Sequence, residues 1–471
     1  MQISALFVSL VSLLNIVSGH DFTNCQPSSN AVSVSKITLT PDQVVGGTTL
    51  KIELDATSNS AYSGVTADLV VKAFGVQLLS QSFPLSDLVS GSNVISVSQA
   101  VPTGVPVGLT VDATVQLVSK QVSKQVSTQV NLACVELEVK TATSGLRAST
   151  TGIDIVAYLY EKWITHHAKV HKDSELIAFR ANAKLVMENR SLHREGKVTH
   201  KLGLNKFAGM SSEEFRKIMG LKTLPKREDK GGAFTENKLG GVSDTIDWVS
   251  KNLVLPVRDQ KNAGTCWAFA TTACAASAYA ITNGKMFDLA PQLIVDCVNS
   301  KYGYQSEGIN GGIPDESFDF LVKNGGELSK DYPYTQKDGT CEKSKHTVVA
   351  KFTKYVDVEG SNQDALLTAL NQQPIAIAIN AEPVQLYTSG ILMESECDGN
   401  SLDHAVMVVS SGTDNGTKYW RIQNSWGNSW GEDGYFRLER TSGSGVGTCG
   451  LATQPSYIIA EKESNDVIAV M

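Results

Sequence analysis

The sequence predicts a multidomain chain that runs from an all-β sandwich through a helical segment into an α+β domain, and three observations predict it. At 471 residues the chain exceeds what one hydrophobic core usually supports. Residues 20–140 are rich in Val, Thr, Ser and Gly and poor in charge, whereas the apolar spacing becomes helical after a small, polar stretch at 141–153. From residue 242 onward, an Ala-rich run after Cys266 reads as a buried helix and a separate apolar run spans Ala405 to Val409, and the α+β class itself is what a resemblance carried by this region implies.

The chain opens with an apolar run, Ile3 to Val17, ending in Val17-Ser18-Gly19. The run is short for a membrane span and its small terminal residues suit signal-peptidase cleavage, so 1–19 is expected to be a signal peptide. That implies a secreted protein or one delivered to a lysosome- or vacuole-like compartment. No later stretch of the sequence reads as a bilayer span. A formal charge of −7 without a basic cluster argues against nucleic-acid binding.

Short apolar runs at Val32 to Thr40, Thr48 to Leu54, Ala67 to Phe74, Val94 to Val97, Val107 to Val118 and Gln129 to Val139 are separated by Gly, Pro and Asn-Ser turn signals. This spacing predicts the sandwich. The near-repeat within Val115 to Val130 alternates apolar and polar residues and reads as edge-strand material with solvated lysines. Beyond the linker, Ile155, Leu159, Trp163 and Ile164, then Leu176, Phe179, Ala183 and Val186, mark the apolar faces of two helices. His167 and His171 share one helical face, but no third ligand pattern accompanies them. They read as solvated surface, and no metal or other cofactor is expected.

The chemistry centres on Gln260 to Ala273. Gly264 offers a turn, and the Ala-rich, apolar run from Cys266 reads as a buried helix with the cysteine in its first turn. Unpaired N–H groups and the positive end of the helix dipole stabilise a thiolate there, so a depressed thiol pKa is expected. A nucleophile needs a base and a group that orients the base. His404, opening the apolar run Ala405 to Val409, and Asn424, in Gln423-Asn424-Ser425-Trp426-Gly427 with Trp430 beyond, supply both.

Together with Gln260, these pieces resemble the papain-like cysteine peptidases, in the same order and with His404 and Asn424 roughly 140 and 160 residues past the cysteine. The resemblance covers about Val242 to Ala460 and includes Asp247-Trp248, Gly308-Ile309-Asn310-Gly311-Gly312 and Asp331-Tyr332-Pro333-Tyr334. It implies a two-lobed α+β peptidase. Cys266 would be the nucleophile and His404 its ion-pair partner and proton donor, with Asn424 orienting the imidazole. Gln260 and the Cys266 N–H would form the oxyanion hole, and Trp426 would shield the His404–Asn424 bond. Gly311 and Gly312 would present backbone to an extended substrate. Ile313, Pro314, Ala378, Leu402, Ala405 and Gln454 would wall the pocket for the side chain two places before the cleaved bond, with Asp403 also on the substrate side. The amide of Gln454 leaves open whether that pocket takes apolar or polar groups.

The resemblance also implies Cys297–Cys341 and Cys397–Cys449 disulfides, while Cys25 and Cys134 bracket the front domain and are expected to bridge its ends. Cys274, about 12 Å along the helix from Cys266, reads as a buried core residue. A cysteine usual three residues before the nucleophile and its partner in the Gly-rich loop are replaced by Ala263 and Ile309. Joint replacement suggests that packing takes the bridge's place. The loop Asn299 to Glu307 is longer than usual.

Leu202 to Ala208 and Glu213-Glu214-Phe215, with Phe179, Asn182 and Val186 before them, resemble the inhibitory propeptide of the same peptidases. Glu175 stands where an arginine is usual, Arg190 where an asparagine is usual and Gly209 where an aspartate is usual. The family's propeptide lies backwards through the cleft, and Lys222 to Leu239 would be the link at which it is removed. His166, His167, His171, His193 and His200 fall in this region. Their protonation below about pH 6.5 is expected to add charge that loosens it. The front domain resembles the ML domain, an immunoglobulin-like lipid-recognition sandwich, through Phe22 with Cys25, Ile37 to Asp42, Phe83-Pro84-Leu85, Val101-Pro102 and Leu132 to Val135. Lipid binding is the implied activity.

The expected organisation is a signal peptide (1–19), an ML-like sandwich (20–140), a linker (141–153), an inhibitory propeptide (154–241), a peptidase (242–460) and a tail (461–471). The expected function is a monomeric secreted or vesicular endopeptidase made as a zymogen and acting on proteins or peptides. The alternative is a lipid-transfer protein with a spent protease domain. Sequons at Asn189 and Asn415 predict glycosylation.

Overall fold

In the computed structural model, which describes residues 22–24, 31–40, 49–101, 110–123, 126–140, 154–222, 232–233, 241–343 and 345–463, the chain divides after Ala183 into two units. The expected signal peptide, the linker and Cys25, and with it the Cys25–Cys134 bridge, lie outside the described residues.

The first unit contains two antiparallel sheets. One has the strand order β1 (Phe22–Asn24), β8 (Val126–Lys140), β7 (Thr110–Ser123), β4 (Val65–Ala73), β5 (Val76–Pro84). The other has the order β2 (Val32–Thr40), β3 (Thr49–Ser58), β6 (Gly91–Ala100). Side chains alternate between the faces of a strand, and the alternation in sequence becomes alternation in burial. Leu50, Ile52, Leu54 and Ala56 of β3, Val65, Ala67 and Leu69 of β4, and Val111, Ala113, Val115 and Leu117 of β7 are all buried. The strand β5 was not legible because Gln77, Ser80, Gln81 and Ser82 dilute its apolar pattern. The edge-strand expectation for 115–130 is corrected for 115–119, where β7 pairs with both β4 and β8, and holds past Ser119, where β7 and the start of β8 pair only with each other.

Helix α1 (Ile155–His166) starts where Asp154 accepts hydrogen bonds from the Val156 and Ala157 N–H groups at 3.0 and 3.1 Å, which supplies two of the orphan donors of a first turn. Its Tyr160 and Trp163 pack edgewise or tilted on Phe179 of α2 (Asp173–Arg194). Glu175, in its unusual position, pairs at 3.2 Å with Lys169, whose ammonium lies over the Trp163 ring.

In the second unit the buried helix α4 (Cys266–Asn283) is central, with every residue from Cys266 to Ala280 buried. A helix apolar on all sides needs partners all round. Around it lie α5 (Pro291–Cys297), α6 (Pro314–Asn324) and the sheet β10 (Gly232–Ala233), β12 (Phe352–Asp357), β19 (Ser456–Ala460), β13 (Ile375–Ile379), β16 (His404–Asp414), β17 (Thr417–Gln423), β18 (Tyr435–Glu439), β15 (Ile391–Leu392), with β11 (Ile246–Asp247) on β16. A short pair joins β9 (Lys201–Leu202) to β14 (Tyr387–Ser389). Helices α3 (Ser212–Lys217) and α7 (Gln363–Leu370) complete the unit.

Cys297–Cys341 and Cys397–Cys449 are disulfides, and Cys266 and Cys274 are free and buried. The Cys274 thiol donates to the Pro374 carbonyl at 3.2 Å. Between Ala263 and Ile309, where a bridge is missing, the Gly264 N–H donates to the Ile309 carbonyl at 2.9 Å and Asp338 accepts the Ile309 N–H at 2.8 Å. One backbone hydrogen bond thus ties the two loops, and the Asp338 side chain holds the second. Among the described residues no His, Cys, Asp or Glu cluster could hold a metal, and no helix is long and apolar enough to cross a membrane.

Candidate active site

The first residue of α4 and the first residue of β16 meet at the site. The Ala405 N–H donates to Cys266 Sγ at 3.3 Å, which sets His404, one residue earlier, beside the thiol. Asn424 follows the end of β17, the neighbour of β16, and its Oδ1 accepts from His404 Nε2 at 2.8 Å. With Nε2 as donor, Nδ1 is left to act on the thiol, and Nδ1 is buried without a hydrogen-bond partner. Trp426 stacks on the imidazole at 4.7 Å with a 22° interplanar angle and is itself 1% exposed, so water is kept from the His404–Asn424 bond.

Gln260 is held from three sides. Its Oε1 accepts from Ser425 Oγ at 2.6 Å, its backbone N–H donates to the Ser425 carbonyl, and its carbonyl accepts from the Tyr334 hydroxyl at 2.8 Å. The first of these bonds turns Nε2 toward the site, where it donates to the Ala263 carbonyl at 3.0 Å and the Ile218 carbonyl at 3.2 Å.

Ile218 belongs to a segment that covers the whole site. It enters through β9, with Gly203 N–H donating to Leu386 O and Asn205 Nδ2 to Gln385 O. Phe207 and Phe215 then pack edgewise on Trp426 at 5.1 and 5.3 Å. Past Ile218, the Gly220 backbone comes close to the Cys266 sulfur, and the Gly220 carbonyl accepts from Gly312 N–H at 2.9 Å. Leu221 N–H donates to the Asp403 carbonyl and Lys222 N–H to the Gly312 carbonyl. A side chain at Gly220 has no room, since a Cβ would lie 2.0 Å from the Gly264 carbonyl oxygen.

This cover reverses the expected electrostatics. Burial pushes the Cys266 thiol up to about 12 and the His404 imidazole down to about 4, so both are neutral near pH 7. The expectation of a depressed thiol pKa is corrected for the covered state. The N–H groups do favour the thiolate, but desolvation outweighs them. Burial also raises the Asp403 carboxyl to about 6, although it accepts the Ala381 N–H.

Charged contacts tie the segment down: Lys206 to Asp259, His200 to Glu396 at 3.2 Å, Arg216 to Glu382 and Lys222 to Glu307. His200 is buried with its Nδ1 3.2 Å from a Glu396 carboxylate oxygen. His171 likewise faces Glu161 and Asp173. The Asn189 glycosylation expectation is corrected. Its amide nitrogen is buried and hydrogen-bonded to His200, and its oxygen accepts the Leu202 N–H. Asn415 stands exposed at the β16–β17 turn.

Of the pocket residues, Ala378 and Ala405 are direct cross-strand partners, Ile313 and Pro314 open α6, and Leu402 packs on Gly450. Gln454 lies two residues before Ser456, whose hydroxyl donates to Asp315. Gly311 faces the covering segment, where a Cβ would lie 3.1 Å from the Gly220 carbonyl oxygen, and its own carbonyl accepts the Glu307 N–H. Gly220, Lys206, Asp259 and Glu396 carried no individual signal in the sequence, because each matters only through a partner on a distant segment.

Three family profiles match in order: "ML domain" at 19–141, "Cathepsin propeptide inhibitor domain (I29)" at 160–215 and "Papain family cysteine protease" at 242–459. The chain is 39% identical over 322 residues to the cysteine proteinase RD21A of Arabidopsis thaliana, covering 66% of this chain and 68% of that one. It is 38% identical to the thiol protease SEN102 of Hemerocallis sp., covering 64% and 85%. The structure of digestive procathepsin L 3 from Tenebrio molitor larval midgut aligns with a TM-score of 0.58 at 29% identity, covering 65% of this chain and all of that one. An ML domain precedes the propeptide and peptidase, and the chain belongs to the papain family of cysteine proteases, peptide-bond hydrolases made as zymogens.

Proposed function

We propose that the chain is an endopeptidase zymogen in which Cys266, His404 and Asn424 cleave protein substrates through an acyl-enzyme once residues 154–241 are removed from the peptidase, 242–460. The observation that carries this reading is the segment's hold on the site, with the Ile218 carbonyl on Gln260 Nε2 at 3.2 Å and the Gly220 carbonyl on the Gly312 N–H at 2.9 Å. After removal, solvent returns and the proton of Cys266 passes to His404 Nδ1. The thiolate then attacks the scissile carbonyl, whose oxyanion is met by Gln260 Nε2 and the Cys266 N–H. His404 returns the proton to the leaving nitrogen as the C–N bond breaks. A water, deprotonated by His404, then opens the thioester and restores the thiol. Replacing Cys266 with Ala is expected to abolish hydrolysis of every peptide by the matured enzyme. Retained, alkylation-sensitive activity in that variant would sink the assignment.

The covering segment escapes cleavage because of its direction. A substrate places residues preceding the scissile carbonyl against Gly312, whereas here the residue paired with Gly312, Leu221, follows the carbonyl at Gln260 and pairs in parallel. The segment therefore runs opposite to the direction of a substrate. Gly220→Ala is expected to displace the segment and give the unprocessed proform measurable activity, tenfold or about that over the parent. A variant as silent as the parent would show that the contact does not hold the segment.

The ties give the segment a pH dependence whose sign can be worked out. Burial acts to raise the Glu396 carboxyl, but hydrogen bonds from His200 and the Met393 N–H outweigh it and leave the group below its ordinary value. Such a group stabilises the covered state above the ordinary carboxylate pKa and stops doing so as pH falls through its depressed value. His404, neutral when covered, also favours release as pH falls from about 6.5 to about 4, while Asp403, raised to about 6, opposes it. Glu396→Gln is expected to speed proform opening severalfold at pH 6 and to matter little at pH 4, measured by release of a fluorogenic product. An equal effect at both values would exclude the His200–Glu396 pair as the cause.

The remaining assignments are also proposals: an exported protein with a signal peptide at 1–19, a glycan on Asn415, a monomer, the pocket of Ile313, Pro314, Ala378, Leu402, Ala405 and Gln454, and a linker at 141–153. The front domain, 20–140, is taken as an immunoglobulin-like sandwich that binds lipid between its sheets. The match to the ML domain and the apolar faces of both sheets support it. Organic extraction of purified proform should yield lipid in a fixed ratio to protein, and a proform that neither carries lipid nor quenches an added fluorescent fatty acid would leave the domain a filled spacer.

A further inference from the structure

The covering segment also reports on a part of the cleft that the catalytic groups do not use. The Lys206 ammonium lies 3.3 and 3.2 Å from the two Asp259 carboxylate oxygens and 2.6 Å from the Trp426 carbonyl. These three oxygens are arranged by backbone that the site itself fixes. Asp259 and Trp426 form a bridge between adjacent stretches, flanked by Gln260 N–H on Ser425 O and Gly427 N–H on Arg258 O. Asp259 adjoins the oxyanion-hole residue, and Trp426 stacks on His404.

The direction of the segment tells which side of the cleft this is. Along the chain it meets Asp259 and Trp426 at 206–207, Gln260 at 218, Cys266 at 220 and Gly312 at 220–222. Gly312 lies on the side that takes substrate residues before the scissile bond. Asp259 and Trp426 therefore lie on the side that takes residues after it.

We infer that Asp259, with the Trp426 carbonyl, forms a cation-accepting subsite for a lysine or arginine side chain downstream of the scissile bond, with Lys206 holding its place in the proform. The inference rests on the catalytic reading above and extends it to specificity. Removal of the segment strips an ammonium from all three oxygens at once. Lys261, which donates its N–H to Asp259 at 2.9 Å and its ammonium at 3.1 Å, remains. Its side chain is 55% exposed, so it lessens the site's charge without filling the place beside Trp426. Arg258, the next basic neighbour, is committed elsewhere, to Asp288, the Leu289 and Phe269 carbonyls and Thr272.

The test uses matured enzyme and internally quenched peptides identical except for Lys, Ala or Glu at the first, second or third position after the cleaved bond. For a partly exposed ion pair, kcat/KM for Lys should exceed that for Glu by about three- to fivefold at one of these positions, and salt should shrink the ratio. Asp259→Asn should bring the Lys-to-Glu ratio to about one, and Asp259→Glu should keep the preference. A wild type that does not distinguish Lys from Glu at any of the three positions, or a preference that survives in Asp259→Asn, overturns the subsite. Failure of the wild type to cleave even the Ala peptide overturns the catalytic reading, and the subsite with it.

Discussion

The second unit depends on one backbone seam. Residues 218–222 are hydrogen-bonded to Gly312 on one side and to Asp403 on the other, with the Cys266 sulfur sealed beneath. The seam uses main-chain groups almost alone, so it specifies the path of the segment and not its side chains, apart from Gly220, where the approach to Gly264 excludes a Cβ. Its energetic consequence is electrostatic. A thiol and an imidazole that would exchange a proton in water are held neutral by desolvation.

Beneath the seam the site is already assembled. His404 is oriented by Asn424, Asn424 Oδ1 also accepts the Ser425 N–H, and the Ser425 hydroxyl aims Gln260. One three-residue stretch, Asn424 to Trp426, thus orients the base, the oxyanion donor and the shielding ring. On the proposed reading, activation changes solvent access to groups that already stand in this arrangement.

Much of this was legible in sequence because the informative residues are local signals. The apolar helix from Cys266 and the buried strand from His404 declare themselves by composition, and the alternating strands of the front unit by period. The strand Val76–Pro84 did not, since its solvent-facing Gln and Ser are too frequent. The thiol pKa departs from the local expectation because the helix terminus is a local feature, whereas the burial that dominates comes from tertiary packing around the thiol. Asn189 reads as a glycan acceptor by its triplet, yet tertiary contacts with His200 and Leu202 consume its amide. The ties of Lys206 and His200 are likewise properties of pairs and were invisible to a reading of single residues.

The most direct test of this account is the rate at which iodoacetamide labels Cys266 at pH 6, followed by intact mass in the proform and again after removal of residues 154–241. The account predicts negligible labelling of the proform and rapid labelling of a single thiol, Cys266, once the segment is gone. A proform that is labelled at Cys266 as fast as the matured enzyme, while still folded and unprocessed, would contradict it.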